Sequence, residues 1–218
     1  MYEATQVEQI VELMRSSPLA LLLINGAADV GPSATHLPVV VESFPEDDDR
    51  DGLVGATLLG HMNRANPQWA SVASSQPGLL SFSGPGSYVS PALYGYSPAA
   101  PTWNFTAVQA RGTVTPLDTE DEAIEVVCAT VRELEAKFGH HWDMSDSLGY
   151  FRKIVPGVGA FRFTVTEAAA MLKLGQEQEE PIRCKVRDHF AGDGCHGRQA
   201  TAAWMAKVPR SPGAGRHS

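Results

Sequence analysis

Residues 18–42 read PLALLLINGAADVGPSATHLPVVVE, and this stretch says most about the fold class. Two largely apolar runs, Leu19 to Asn25 and Ala34 to Glu42, flank NGAADVGPS, a cluster of turn residues that continues neither helix nor strand. The segment therefore reads as an antiparallel hairpin. Before it, Val7, Ile10, Val11 and Met14 recur at helical spacing and Pro18 stops the pattern, so a short amphipathic helix opens the chain. After it comes EDDDRDG (46–52), read as a solvated loop, and then Leu53 to Gly60 as a third strand. His61 to Ala73 follows, with Pro67 placed where a first helical turn tolerates proline.

Further along, Leu79 to Ser83 and Tyr88 to Leu93 read as two short strands split by Gly84, Pro85 and Gly86, a turn whose N–H groups suit an anion. Trp103 to Pro116 is the longest strand, with Gly112 expected as a bulge. Thr119 and Glu122 have capping-box spacing, and Ala123, Val126, Val127, Thr130, Val131, Leu134 and Phe138 share one face of a helix ending near Gly139. A helix from about Ser145 to Ile154 precedes two closing strands, Gly159 to Thr166 and Met171 to Gly175, and Pro181 to Lys207 reads as helical before a frayed tail. Many short strands punctuated by Gly and Pro, with helices not strictly alternating, predict a mainly β fold, a split β-barrel with peripheral α-helices. The expected organisation is a barrel domain with inserted helices over 1–180 and a C-terminal helical extension and tail over 181–218.

The chain has 218 residues, 43% of them hydrophobic, enough for one cored domain. A net charge of −8 argues against wholesale binding to nucleic acid or anionic membrane, although Pro181 to Ser218 carries seven Lys/Arg against two Asp. No run is long enough to span a bilayer and no basic leader precedes one, so a cytoplasmic protein is expected. Cys128, Cys184 and Cys195 form no CxxC pair and are expected as free thiols. GxGxxG, P-loop and GxSxG motifs are missing from the sequence, which gives no support to dinucleotide, nucleotide-phosphate or serine-hydrolase chemistry.

Two histidines stand on strands or at their ends, His36 in ATHLP and His61 in GHMNRANPQW. No Cys/His cluster offers the three or four ligands of a zinc site. Haem asks for less, one axial imidazole, an apolar slot and cations for its propionates. His61, with Arg64 one turn on and Trp69 beyond, answers that demand, and His36 is held in reserve as the ligand. Lys173, alone in AAAMLKLGQ, reads either as a snorkelling strand residue or as an anion contact.

Taken together, GHMNRANPQW (60–69), GPGSYVSPALY (84–94), PTWNFTAV (101–108) and KLGQ (173–176) resemble the PaiB-type proteins, FMN-binding negative transcriptional regulators with a split β-barrel. The chain departs from that pattern at Gln109, where the family has His, and at Glu177-Gln178, where it has Asn-Arg. With FGHHWDMSDSLGYFRKIVPGVGAFR (138–162) and HFAG (189–192), these departures look like the haem-dependent branch of the family, the piperazate synthases of natural-product gene clusters. That resemblance implies haem b as cofactor, a homodimer, and conversion of N5-hydroxy-L-ornithine to L-piperazic acid by intramolecular N–N bond formation with loss of water. It implies His61, Arg64 and Tyr88 as catalytic residues, and His61, Arg64, Trp103, Asn104, Lys173 and Gln176 around the cofactor. The alternative is a PaiB-like regulator or flavin reductase that binds FMN.

Overall fold

The computed structural model describes residues 2, 6–26, 31–44, 53–72 and 74–210. Helix α1 (Val7–Ser16) is followed by β1 (Leu19–Asn25), β2 (Pro32–Ser43), β3 (Thr57–Asn63), a short α2 (Trp69–Val72), β4 (Gln76–Val89) and β5 (Thr102–Leu117). Then come α3 (Glu120–Phe138), α4 (Leu148–Ile154), β6 (Val158–Lys173), α5 (Glu180–Gly192) and α6 (His196–Lys207). The six strands close into a barrel in the order β1-β2-β3-β6-β5-β4. The expected barrel with peripheral helices is therefore what forms. No helix among the described residues is long and apolar enough to cross a membrane, and Cys128, Cys184 and Cys195 are free.

The hairpin of β1 and β2 runs in register from Leu19 opposite Pro38 to Asn25 opposite Pro32. Alternation on β1 buries Ala20, Leu22 and Ile24, the two-residue period of a strand with one face inward. Strand β3 pairs with β2 (Val39 opposite Gly60) and with β6 (Gly60 opposite Phe161, His61 opposite Ala160). Helix α3 begins with the expected capping box, the Thr119 hydroxyl meeting the Glu122 N–H and the Glu122 carboxylate meeting the Thr119 N–H.

The chain divides into two compact units, one from residues 14–82 and 109–168, the other from 1–13, 83–108 and 169–218. In this division the C-terminal helices go with the ends of β4, β5 and β6 rather than standing apart from residue 181 onward. In the first unit, α3 covers the outer side of β2, β3 and β6 through a cluster of Val40, Leu59, Leu117, Ala123, Val126, Val155 and Ala160. The inner side is filled by the fully buried rings of Phe82, Phe161 and Phe163. Bare backbone makes room for them: a Cβ on Gly60 would lie 2.5 Å from Phe161 Cζ, and one on Gly112 would lie 2.2 Å from the Thr164 carbonyl oxygen. In the second unit, Arg183 of α5 donates to the carbonyls of Met205 and Val208 at the end of α6, and the Leu172 N–H bonds the Tyr2 carbonyl at 2.7 Å.

Several expectations need correction. GPGSY is not a turn, since β4 runs unbroken through it and its glycines are points of close approach. A Cβ on Gly84 would meet Thr106 Oγ1 at 2.2 Å, and one on Gly86 would meet the Asn104 carbonyl at 2.9 Å. The closing strands are likewise one, β6, because sheet pairing overrides the low strand propensity of Glu167–Ala170. The third strand starts at Thr57 rather than Leu53 and extends through His61 to Asn63, leaving only four residues for α2. The helical C-terminal segment breaks into two at Asp193–Cys195. EDDDRDG (46–52) and the tail from 211 lie outside the described residues.

The inner packing generates a paired test. Gly112→Ala should destabilise the chain by about 1–3 kcal/mol through overpacking against backbone. Gly149→Ala on α4 meets nothing within 4 Å, and should gain about 0.5–1 kcal/mol from helix propensity. Urea denaturation of both variants checks this, and equal effects would contradict the close approach at Gly112.

Candidate functional site

The first unit holds a cavity of about 500 Å³ between the exit ends of β2 and β3 and the entry into β6. His61 on β3 and His36 on β2 both line it, with Thr35, Pro38, Asn66 and Ile154 among its other walls. Strand register explains why the two imidazoles share it. Gly60 faces Val39, so His61 is level with Pro38, and His36 lies two residues away on the same face of β2. His61 is partly buried while His36 is exposed. The Nδ1 of His61 is buried with no hydrogen-bond partner among the described residues, and desolvation holds its imidazole below the usual value of 6.5. A neutral imidazole therefore sits in this wall at neutral pH.

The segment after His61 is a chain of side-chain-capped turns. Asn63 Oδ1 accepts from the Ala65 N–H at 2.8 Å and Asn66 Oδ1 from the Gln68 N–H at 2.9 Å. The buried Gln68 amide donates to the carbonyls of Leu22 (3.1 Å) and Ser33 (2.9 Å), bolting this turn to the β1–β2 hairpin. Arg64 is pinned at the rim. Its backbone N–H bonds the Gly157 carbonyl and its Nε bonds the Val158 carbonyl, both at 2.9 Å, while its guanidinium lies 5.3 Å from the Trp69 ring centre. Gly157 and Val158 themselves line the cavity, and Gly159 leaves space for the Trp69 ring, which a Cβ would meet at 2.5 Å. Much of GHMNRANPQW thus shapes the wall that presents His61 and Arg64.

The other residues expected around a cofactor fall in the second unit. Tyr88 and Trp103 are exposed on β4 and β5, their rings 6.3 Å apart. Lys173 donates to Thr102 Oγ1 at 2.7 Å and lies 5.8 Å from the Tyr2 ring centre. Asn104 is 1% exposed, its amide directed at Met205 Sδ. Gln176 is no open cofactor contact, being buried with Oε1 accepting from the Leu174 N–H and Nε2 donating to the Leu172 carbonyl. It braces the turn after β6. The sequence reading missed Thr35, Asn66, Ile154 and Gly157, for which the only signal was the same-face spacing of Thr35 and His36's neighbours on a strand. No group of three or more His, Cys, Asp or Glu is placed to hold a metal ion among the described residues.

Comparison with known proteins agrees with this fold. The family model described as "Putative FMN-binding domain" matches residues 1–167. The chain is 27% identical over 182 residues to "Protease synthase and sporulation protein PAI 2" of Bacillus subtilis, covering 82% of this chain and 81% of that protein. Among solved structures, the FAD and haem binding protein from Mycobacterium smegmatis superposes with a TM-score of 0.58 at 15% identity, over 84% of this chain and 79% of that one. The flavocytochrome Anf3 from Azotobacter vinelandii gives a TM-score of 0.52 at 13% identity, over 84% and 75%. At such identities the structural likeness is one of fold. The family match and the Bacillus relative bear out the PaiB-type resemblance: the chain belongs to the family of that FMN-binding domain.

Proposed function

We propose that this chain is a cytoplasmic, homodimeric, haem-dependent piperazate synthase that closes N5-hydroxy-L-ornithine to L-piperazic acid. One observation carries the reading: the His61 imidazole, its Nδ1 buried with no hydrogen-bond partner among the described residues and its pKa held low by desolvation, stands in the wall of an open cavity of about 500 Å³. The residues around this cavity fit haem b. Leu37, Pro38, Met62, Ile154 and Val158 give apolar walls, His61 gives a neutral nitrogen donor, and Arg64 is fixed beside the wall where a propionate can reach it. Bound there, haem supplies a Lewis-acidic iron that polarises an N–O bond and makes hydroxide a better leaving group.

The chain's own residues have three tasks. The confined wall holds the flexible substrate folded so that its two nitrogens meet, for which effective molarities reach roughly 10⁵ M or more. Arg64 holds the α-carboxylate or a propionate, its position set by two bonds to the β6 entry. His36, exposed on the same cavity, takes the proton that the α-ammonium must lose and returns it as hydroxide leaves as water. The N–N bond forms as the N–O bond breaks, so the net change is loss of water and no external oxidant or reductant is consumed.

A second reading, an FMN-binding regulator or flavin reductase, is favoured by the family match and by the exposed Tyr88–Trp103 pair near a cationic Lys173 within the second unit.

Hemin titration of the purified apoprotein should produce a Soret band, lost in His61→Ala and kept in His36→Ala. Stoichiometric FMN uptake with no Soret shift would establish the second reading instead. Incubated anaerobically without NAD(P)H, the haem-loaded protein should convert N5-hydroxy-L-ornithine to a cyclic hydrazine. The substrate shortened by one carbon should react roughly 10²-fold more slowly, because the nitrogens are misplaced. Failure to form the cyclic product in haem-loaded protein would reject the synthase reading.

The neutrality of His61 has its own test in the haem-free chain. A folded value held below the unfolded 6.5 means that protonation favours the unfolded chain. Stability from this group is therefore present above pH 6.5 and lost as the pH falls below it towards the folded value. Urea midpoints measured from pH 7.5 to 5 should fall, and His61→Ala should flatten that slope; an unchanged slope would contradict the burial of the imidazole.

A further inference from the structure

A second, small cavity lies wholly within the second unit. Its walls include Asn104 of β5, Glu177 in the turn after β6, Arg183 of α5 and Met205 of α6. Its volume is about 10 Å³, room for the centre of a single water molecule. Three buried polar atoms of the residues around it have no hydrogen-bond partner among the described residues: Asn104 Oδ1, Glu177 Oε2 and Arg183 Nε. Asn104 and Arg183 are 1% and 5% exposed, so bulk solvent does not satisfy them. Buried polar atoms are rarely left unpaired, and three around one space call for a guest.

The chemistry of that guest follows from the three atoms. Two are acceptors and one is a donor, since the guanidinium Nε–H only donates, the amide Oδ1 only accepts and an ionised carboxylate only accepts. The Arg183 cation and the Glu177 anion balance, so the site favours a neutral guest over either sign of ion. The space admits one heavy atom. A guest that accepts once and donates twice, carries no charge and has one heavy atom is water.

We propose that a single internal water joins Arg183 Nε, Asn104 Oδ1 and Glu177 Oε2 and makes Glu177, half-buried with its Oε2 shielded, and the buried Arg183 a water-separated ion pair. The rest of the Arg183 fork is already used, its Nη2 meeting the carbonyls of Met205 and Val208. Through the water, one side chain thus ties the end of α6 to β5 and to the turn after β6. Charge balance with Arg183 gives the Glu177 carboxylate a place in the fold. Burial and then the nearby Glu177 charge raise the Tyr2 phenol, which places the N-terminal segment beside the same carboxylate.

An atomic-resolution crystal structure of the full chain should show one ordered water within hydrogen-bond reach of all three atoms. In solution, the Arg183 Nε proton should show a cross-peak to a long-lived water, retained in Tyr2→Phe, which excludes relay through the hydroxyl. Arg183→Lys keeps the charge but removes Nε, and should abolish the water and lower Tm by roughly 2–4 °C. Glu177→Gln keeps an acceptor oxygen and should retain the water. Direct contact between Glu177 and Arg183 with no guest, an ion in the cavity, or an Arg183 Nε proton that exchanges as fast as a solvent-exposed one would each overturn the proposal. The wild-type measurements alone decide it if the Arg183 variant does not fold.

Discussion

Pairing of β3 with β6, from Thr57 opposite Thr164 to Asn63 opposite Val158, is the constraint on which the His61 wall depends. It sets Gly60 against Phe161, where the absence of a side chain lets the ring fill the inner face. One residue on, the same register turns His61 outward beside Ala160. Three residues further, it delivers Arg64 to the Gly157 and Val158 carbonyls. A one-residue slip would invert every side chain and place the imidazole in the core. The bidentate Glu42–Arg162 pair, with both contacts at 2.6 Å, spans β3 and adds a polar check on the register, although a partly exposed pair contributes only about 0–1 kcal/mol. Packing, then, holds the strands and the ion pair only supports their alignment.

What could be read from the sequence was what local chemistry decides. Pro18 ends α1, the turn cluster after Asn25 closes the hairpin, and Thr119 with Glu122 starts α3, each signal lying within a few residues of its effect. Gly84, Pro85 and Gly86 misled because glycine serves two ends, turning the chain or admitting a neighbour, and only the neighbours Thr106 and Leu13 decide between them. The length of β3 was misjudged for a related reason. Residues 61–63 remain in strand because β6 is beside them, and β6 lies about a hundred residues away in sequence.

The site divides along the same line. His61 and Arg64 were legible because they share one short motif, and Arg64 reaches its carbonyl partner across 94 residues that no local pattern spans. Ile154 and Gly157 entered the wall only through that long-range pairing. Gln176 shows the opposite error. Its amide suggested a ligand contact, yet both ends are spent on the backbone of its own turn, a use that its residue type alone does not distinguish.

The two cavities show how different polar inventories suit different guests. Around Asn104, Glu177 and Arg183 a cation and an anion meet at a small space with three unpartnered polar atoms, an inventory that suits a small neutral guest. The His61 wall reverses each condition: it is open, it is wide, and its one deeply placed titratable group has been driven to the neutral form by desolvation. A charged imidazole there would repel a metal cation and offer no lone pair. The lowered pKa of the His61 imidazole and the shielding of its Nδ1 therefore have the same cause, the place of His61 where β3 runs on beside β6.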